Sequence, residues 1–275
     1  MSSITPYAES AVATRAWSVP AALPYWILRV GAALCFIGHG AFGFITKAAW
    51  VPYFAVLGIP EAWAWRLMPL VGAVDVTVGM MVLFAPRRVA LGYMTVWALW
   101  TALLRPLSGE PFFETMERAG NYGVPLALLL MSGWPREWRS WFGSVEPLTV
   151  TADRWRLVGR ILQITTVLLL VGHGALGAIT GKAMFATHYA AAGLPAGLTA
   201  SIGWFELVLA AVIAARPFVP VLLFACIWKL ATESLFIAAG APVWEFVERA
   251  GSYAAPLALA VVILTSRNNG STARL

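Results

Sequence analysis

Apolar residues run through this chain in long unbroken stretches, each close to the ~20 helical residues that cross a hydrocarbon core of ~30 Å. Such stretches start near Ala22, Met68, Val89, Glu117, Val158, Leu198, Phe218 and Glu248. They lack the inside/outside alternation of membrane barrel strands, so each reads as a helix. Two connections, Tyr53 to Pro60 and His188 to Pro195, are too apolar for free loops. They predict short helices at the interface or tucked back over the bundle, stopped by Gly58 and Gly193 with a proline just beyond. Glu117-Arg118 and Glu248-Arg249 open the last helix of each half at or just below the outer headgroup level.

The polar positions inside this apolar background come in two sets. Gly38-His39-Gly40-Ala41-Phe42-Gly43 returns as Gly172-His173-Gly174-Ala175-Leu176-Gly177, and Glu117-Arg118-Ala119-Gly120-Asn121-Tyr122 returns as Glu248-Arg249-Ala250-Gly251-Ser252-Tyr253. Between them Gly72, Asp75, Trp97 and Gly109 match Gly203, Glu206, Trp228 and Gly240. The unit is roughly 130 residues long and holds an even number of helices, so both copies point the same way. The expected fold is an all-α integral membrane protein: eight transmembrane helices as two parallel four-helix repeats, related by a pseudo-two-fold axis along the membrane normal. Its parts are a cytoplasmic segment (1–21), a first repeat (22–134), a cytoplasmic interfacial linker (135–157), a second repeat (158–266) and a cytoplasmic tail (267–275). In and beside the linker, Trp134, Trp138, Trp141 and Trp155 mix with arginines, which suits a headgroup zone.

Composition agrees with this. At 60% hydrophobic and 12% charged residues, with a mean hydropathy of +0.76, the chain has too little polar material to cover a water-soluble globule. Arg87, Arg88, Arg136, Arg139, Arg154, Arg156, Arg160 and Arg216 gather on one face, where acids are few. By the positive-inside rule both termini are cytoplasmic, and the expected location is a bacterial cytoplasmic (inner) membrane. The net charge of +6 reflects this topology, so no nucleic-acid partner is expected. The first ~22 residues carry no removable signal peptide pattern. Cys35 and Cys226 sit at non-equivalent apolar positions and read as small core residues.

Candidate chemistry rests on ionisable groups within the spans: Arg29, Arg105 and Lys229 against Asp75, Glu206 and Glu233. A charge in hydrocarbon costs ~2.5 to 3.5 kcal/mol, so these groups should face inward and find partners. Lys229 and Glu233 are four apart on one helix and should pair, whereas Arg29 and Arg105 should find Asp75 or Glu117 across helices. By depth, each half should enclose a polar cluster of His, Asp or Glu, Glu, Arg and Tyr near the outer surface. His39, Asp75, His173 and Glu206 are the candidate catalytic residues, since an imidazole beside a carboxylate relays protons near neutral pH. Glu117, Arg118, Tyr122, Glu248, Arg249 and Tyr253 are the candidate cofactor-binding set. The imidazoles suit a hydrogen bond to a quinone carbonyl, or ligation of haem iron by His39 and His173. His188 aligns with Tyr53 and stays outside the shared set, and no zinc spacing, phosphate loop or Ser-His-Asp pattern occurs.

Gly172-His173-Gly174, Tyr189 to Pro195, Gly203-Trp204-Phe205-Glu206 and Glu248-Arg249-Ala250-Gly251-x-Tyr253 together resemble the DoxX-like family of four-helix membrane proteins. The likeness covers the second half best and reaches the first through its repeat. It implies a membrane subunit of a redox system, with Glu206, Glu248, Asp75 and Glu117 as functional acids. Tandem fusion and the histidines depart from the family pattern. The leading expectation is a quinone-linked redox protein with two pseudo-equivalent outer pockets, set in the lipid bilayer and served by a soluble or membrane redox partner. Three alternatives stand beside it: a small-solute or proton transporter, a structural or assembly subunit, and a bis-His haem electron carrier.

Overall fold

The computed structural model describes residues 18–146, 150–195 and 197–268. Expectations for residues 1–17 and 269–275 lie outside the described residues. Every regular element among the described residues is helical. In the first half α1 (Ser18–Phe44) leads through a short turn to α2 (Val51–Val56), then come α3 (Glu61–Phe84), α4 (Arg88–Leu107), α5 (Phe113–Glu117) and α6 (Ala119–Met131). The second half follows the same order with α7 (Ala152–Ala178), α8 (Ala183–Ala191), α9 (Leu198–Ala215), α10 (Val219–Ala238), α11 (Trp244–Glu248) and α12 (Ala250–Asn268).

The short helices α2 and α8 form where the apolar connections predicted them. Both stop at a glycine in the left-handed region, Gly58 at φ +71° and Gly193 at φ +74°, a conformation that a side chain would strain. They fold back over the bundle, because Trp50 and Tyr53, and likewise Phe185 and Tyr189, are buried. The last helix of each half departs from expectation. It starts earlier, as α5 and α11, and is interrupted at Arg118 and Arg249 before α6 and α12 continue. Tyr122 and Tyr253 donate to the carbonyls of Thr115 and Phe246 across these interruptions, satisfying acceptors that the break frees.

Among the described residues five helices are long and apolar enough to cross a membrane: the Ala22–Phe44 part of α1, α3, α7, α9 and α10. Large apolar side chains point outward along them, among them Leu70, Val208 and Ile227, each more than 60% exposed. Such a surface is unfavourable in water and suits lipid. This is the build of a helical membrane protein.

Glycines set the packing. A methyl group at Gly40 would stand 2.7 Å from the Gly72 carbonyl oxygen, and one at Gly174 would stand 2.7 Å from that of Gly203, so α1 touches α3 and α7 touches α9 backbone to backbone. The same helices contact the opposite half. At Gly38 an added carbon would lie 2.3 Å from the Glu248 nitrogen, and at Gly172 2.1 Å from that of Glu117. α6 and α12 cross at Gly120 and Gly251, where either methyl group would collide with the other glycine's carbonyl carbon at 2.4 Å. Helices α1, α6, α7 and α12 therefore form the centre, with α3 and α4 flanking one side and α9 and α10 the other.

At the end opposite the histidines, Tyr25 donates to the Val145 carbonyl and Arg29 to the carbonyls of Val82 and Leu83. Arg29 thus caps a helix end and does not reach Asp75 or Glu117. Trp134 and Trp138 are exposed there, as a headgroup-zone segment requires.

Candidate functional site

In both halves the histidine and its acid come together. His39 Nδ1 lies 2.7 Å from Asp75 Oδ2, and the ring stacks on Trp50 with centroids 4.5 Å apart. His173 Nδ1 hydrogen-bonds Glu206, and its ring packs on Phe185 at 4.3 Å. An imidazole bonded to a carboxylate through Nδ1 has its tautomer fixed and its other nitrogen left for chemistry.

The two dyads then diverge. Glu206 is one methylene longer than Asp75, and its second oxygen accepts from Trp228 Nε1 at 2.8 Å. In the first half the matching atoms, Asp75 Oδ1 and Trp97 Nε1, are buried without a hydrogen-bond partner among the described residues. Leaving such groups unmade costs about 1–3 kcal/mol each, so this gap is expensive unless something fills it.

Beside the first dyad lies a cavity of about 130 Å³. His39, Trp50, Tyr53, Trp97 and Trp100 supply its ring-bearing walls, and Arg105, Arg118, Asn121 and Glu248 its polar ones. His39 keeps 23% of its side chain accessible, against 6% for His173. The corresponding place in the second half is filled. Where the first half has Ala98, Ala102 and Arg105, the second has Lys229, Glu233 and Phe236, all buried. Lys229 and Glu233 pair at 2.8 Å, as their spacing predicts. Phe236 packs edge-on against His188 at 4.2 Å, and the Arg249 guanidinium lies over its face at 3.8 Å.

Arg105 does not reach Asp75 or Glu117. It donates to Tyr53 Oη at 2.8 Å and to Glu110 at 3.1 Å, and lies 3.7 Å from Glu114. Burial opposes the charge on Glu110, yet the Tyr53 hydroxyl bond and the Arg105 guanidinium outweigh it and hold this carboxyl below its ordinary range.

The two Glu-Arg motifs do not stay in separate nests, as the depth argument expected. They meet at the Gly120–Gly251 crossing, where Glu117, Arg118, Glu233, Glu248 and Arg249 surround a space of about 10 Å³, no more than a water molecule. Arg118 bonds Glu114 at 2.7 Å and Glu117 at 2.9 Å, and Arg249 bonds Glu245 at 2.6 Å and Glu248 at 2.9 Å, with Glu233 at 3.1 Å. Lysines cross between halves: Lys47 reaches Glu245 at 2.5 Å and Lys182 reaches Glu114 at 2.6 Å. The physical reason is the packing of each first helix on the other half's last one, which sets Glu248 in the wall beside His39. Tyr122 and Tyr253 brace the helix interruptions and do not line the cavity.

Sequence reasoning left Glu114, Glu245, Lys47, Lys182 and Trp100 without a role. The first four recur at matching places in the two halves, a signal that was available. Trp100 has no counterpart of its kind, its match being Ala231.

Fold and site together define a helical membrane protein with a cation-bearing, aromatic-lined cavity beside a buried imidazole–carboxylate pair. Comparison with protein-family models, with curated proteins and with solved structures finds no match.

Proposed function

We propose that the protein is a quinone-linked redox protein of the bacterial cytoplasmic membrane, in keeping with its resemblance to the DoxX-like family, and that its quinone sits in the first-half cavity. In this reading the chain crosses the bilayer eight times as two parallel four-helix repeats, α5–α6 and α11–α12 each counting as one crossing. Both termini are cytoplasmic and the dyads lie under the outer surface.

The observation that carries the proposal is His39, bonded to Asp75 behind it, in the wall of a cavity that also presents aromatic rings, Arg105, Arg118, Asn121 and Glu248. At roughly 10–15 Å³ per water-sized group, 130 Å³ takes on the order of ten heavy atoms, the size of a benzoquinone ring. Trp50, Trp97 and Trp100 offer faces for that ring. The Trp97 N–H is buried without a partner among the described residues, and a turn of the indole would bring it to a quinone oxygen. A bound quinone would supply two-electron, two-proton redox chemistry, its electrons coming from a partner protein's reduced cofactor. His39 would pass a proton to or from the ring, with Asp75 stabilising the imidazolium, and a second proton would come from solvent. Arg105 and Arg118 would favour negative charge in the cavity. The His173–Glu206 dyad, bonded to Trp228 and closed in by larger side chains, serves as a structural copy.

Titration of purified protein with a short-chain benzoquinone, read by tryptophan fluorescence, tests this. Saturable quenching that Trp97→Phe weakens and Asp75→Asn shifts in pH dependence is expected. Absence of saturable binding overturns the reading, and a visible haem spectrum lost on replacing His39 or His173 replaces it with the iron-binding alternative.

One observation favours a second reading, carriage of protons or a small anion. Both last helices are interrupted at matching places, Arg118 and Arg249, as discontinuous helices of transporters are. Flux into liposomes that Asp75→Asn abolishes would decide for it.

A further inference from the structure

A second hollow adjoins the cavity. Between α4 and α6 runs a groove of about 600 Å³ with almost no polar wall, open to the side of the bundle. Trp97 and Trp100 line both spaces, so groove and cavity are neighbours along α4. From there it follows α4 to Val89, roughly 16 Å at ~1.5 Å rise per residue. Its far end is walled. Trp141 lies against Gly92, where an added carbon would stand 2.9 Å from the indole, and Trp134 packs edge-on to Trp141 at 5.3 Å. In the second half the residue matching Gly92 is Leu223.

We infer that this groove is the tail slot of the same site: the ligand is an amphiphile whose planar redox ring occupies the cavity and whose single long hydrocarbon chain lies between α4 and α6. The inference rests on the quinone reading and adds to it the class of ligand, a long-chain quinone. Three observations point to a tethered chain. The apolar groove and the polar cavity share two walls. The Trp97 N–H near their junction is buried without a partner among the described residues, a donor that a turn of the indole would bring to the ring. The indoles of Trp134 and Trp141 mark the far end of the slot. Lipid chains are as apolar as the groove, so the tail gains little from the hydrophobic effect here. Its gain is close packing against α4 and α6, which a filled groove removes.

The test uses the full chain in nanodiscs of fixed lipid content and two probes, 2,3-dimethoxy-5-methyl-1,4-benzoquinone and the same ring carrying a decyl chain. Partition into lipid favours the decyl form equally for every protein variant, so the ratio of the two Kd values is compared between variants. Val96 lines the groove and is 70% exposed, so Val96→Trp fills the slot without entering the core. Gly92→Leu gives the first half the residue of the second. Both variants should reduce the wild-type Kd ratio about tenfold while leaving the tailless ring within about twofold. An unchanged ratio with normal binding of the tailless ring overturns the tail slot alone and makes the groove a place for bulk lipid chains. Failure of the wild type to bind either probe overturns the quinone reading, and this inference with it.

Discussion

In the second half Glu206 spans from His173 to Trp228, whereas in the first Asp75 reaches His39 and leaves Trp97 unbonded. One methylene separates a closed polar network from an open one. The same contrast recurs one helix away, where Lys229, Glu233 and Phe236 fill the space that Ala98, Ala102 and Arg105 leave empty. Two copies of one framework have thus taken different physical tasks. The second matches its buried charges in ion pairs, with Lys229 Nζ and Glu233 Oε2 still short of a hydrogen bond among the described residues, and the first keeps one unpaired donor, one unpaired acceptor, aromatic faces and cations around a hollow. A fully satisfied network specifies structure, and an unsatisfied one beside space for a ligand marks where binding energy remains to be gained.

The sharpest way to break this contrast is to remove the arginine of each half. Without Arg249, Lys47 and Lys229 remain on Glu245 and Glu233 but Glu248 keeps no cation within 4 Å among the described residues, whereas without Arg118 both of its acids keep Lys182, Glu114 at 2.6 Å and Glu117 at 4.0 Å. Arg249→Met leaves buried carboxylates underpaired and should cost about 3–5 kcal/mol. Arg118→Met should cost less than half as much, because Lys182 and Arg105 remain beside Glu114. Denaturation midpoints in detergent, read by circular dichroism, measure both. Equal losses would show that the second half is not the stiffer support.

Exchanging the acids comes next in size. Glu206→Asp shortens the link and leaves either His173 or Trp228 unbonded, a loss of about 1–3 kcal/mol. The converse, Asp75→Glu, should let the carboxylate reach Trp97 and stabilise the fold by about 1 kcal/mol. It should also weaken benzoquinone binding, since the open donor is then used. If Asp75→Glu both stabilises the fold and leaves binding intact, Trp97 is not the ring's donor.

Much of this was readable from the chain. The helices follow apolar runs whose length matches a bilayer, and each histidine found its acid because both recur in the same order, on successive spans and near the same depth. Lys229 and Glu233 were legible because i and i+4 share a helix face. The remainder depends on neighbours across helices, which spacing along one helix does not encode. Arg105 was assigned to Asp75 or Glu117 by depth, but its nearest acids, Glu110 and Glu114, lie past the turn that follows it. Nothing in the repeat says that α1 packs on α11 of the other half, so the Glu-Arg motifs were placed in two nests and not in one shared centre. The cavity was invisible because it depends on side-chain volume at positions such as Ala98, where the second half has Lys229.

Acid sensitivity gives the smallest and most local test, because each half holds one outer carboxylate low by a different device. In the second half burial works against the charge on Glu245, but Arg249 and Lys47 outweigh it and bring the group down to about 2. In the first, Tyr53 and Arg105 do this for Glu110, whose side chain is 33% exposed and more screened by solvent. Both folded values lie below the unfolded one, so protonation favours the unfolded chain. The stabilisation is complete above the unfolded carboxyl value of ~4.3 and is lost as pH falls through the folded one. Between pH 5 and pH 2 the denaturation midpoint should therefore drop, and Glu245→Gln should flatten that drop more than Glu110→Gln does. Lys47→Met should flatten it partly, by removing one of the two cations that hold Glu245 low. An acid limb indifferent to both Glu245→Gln and Lys47→Met would mean that the cross-half lysine bridge carries no linkage. The second half would then owe its rigidity to the arginine centre alone.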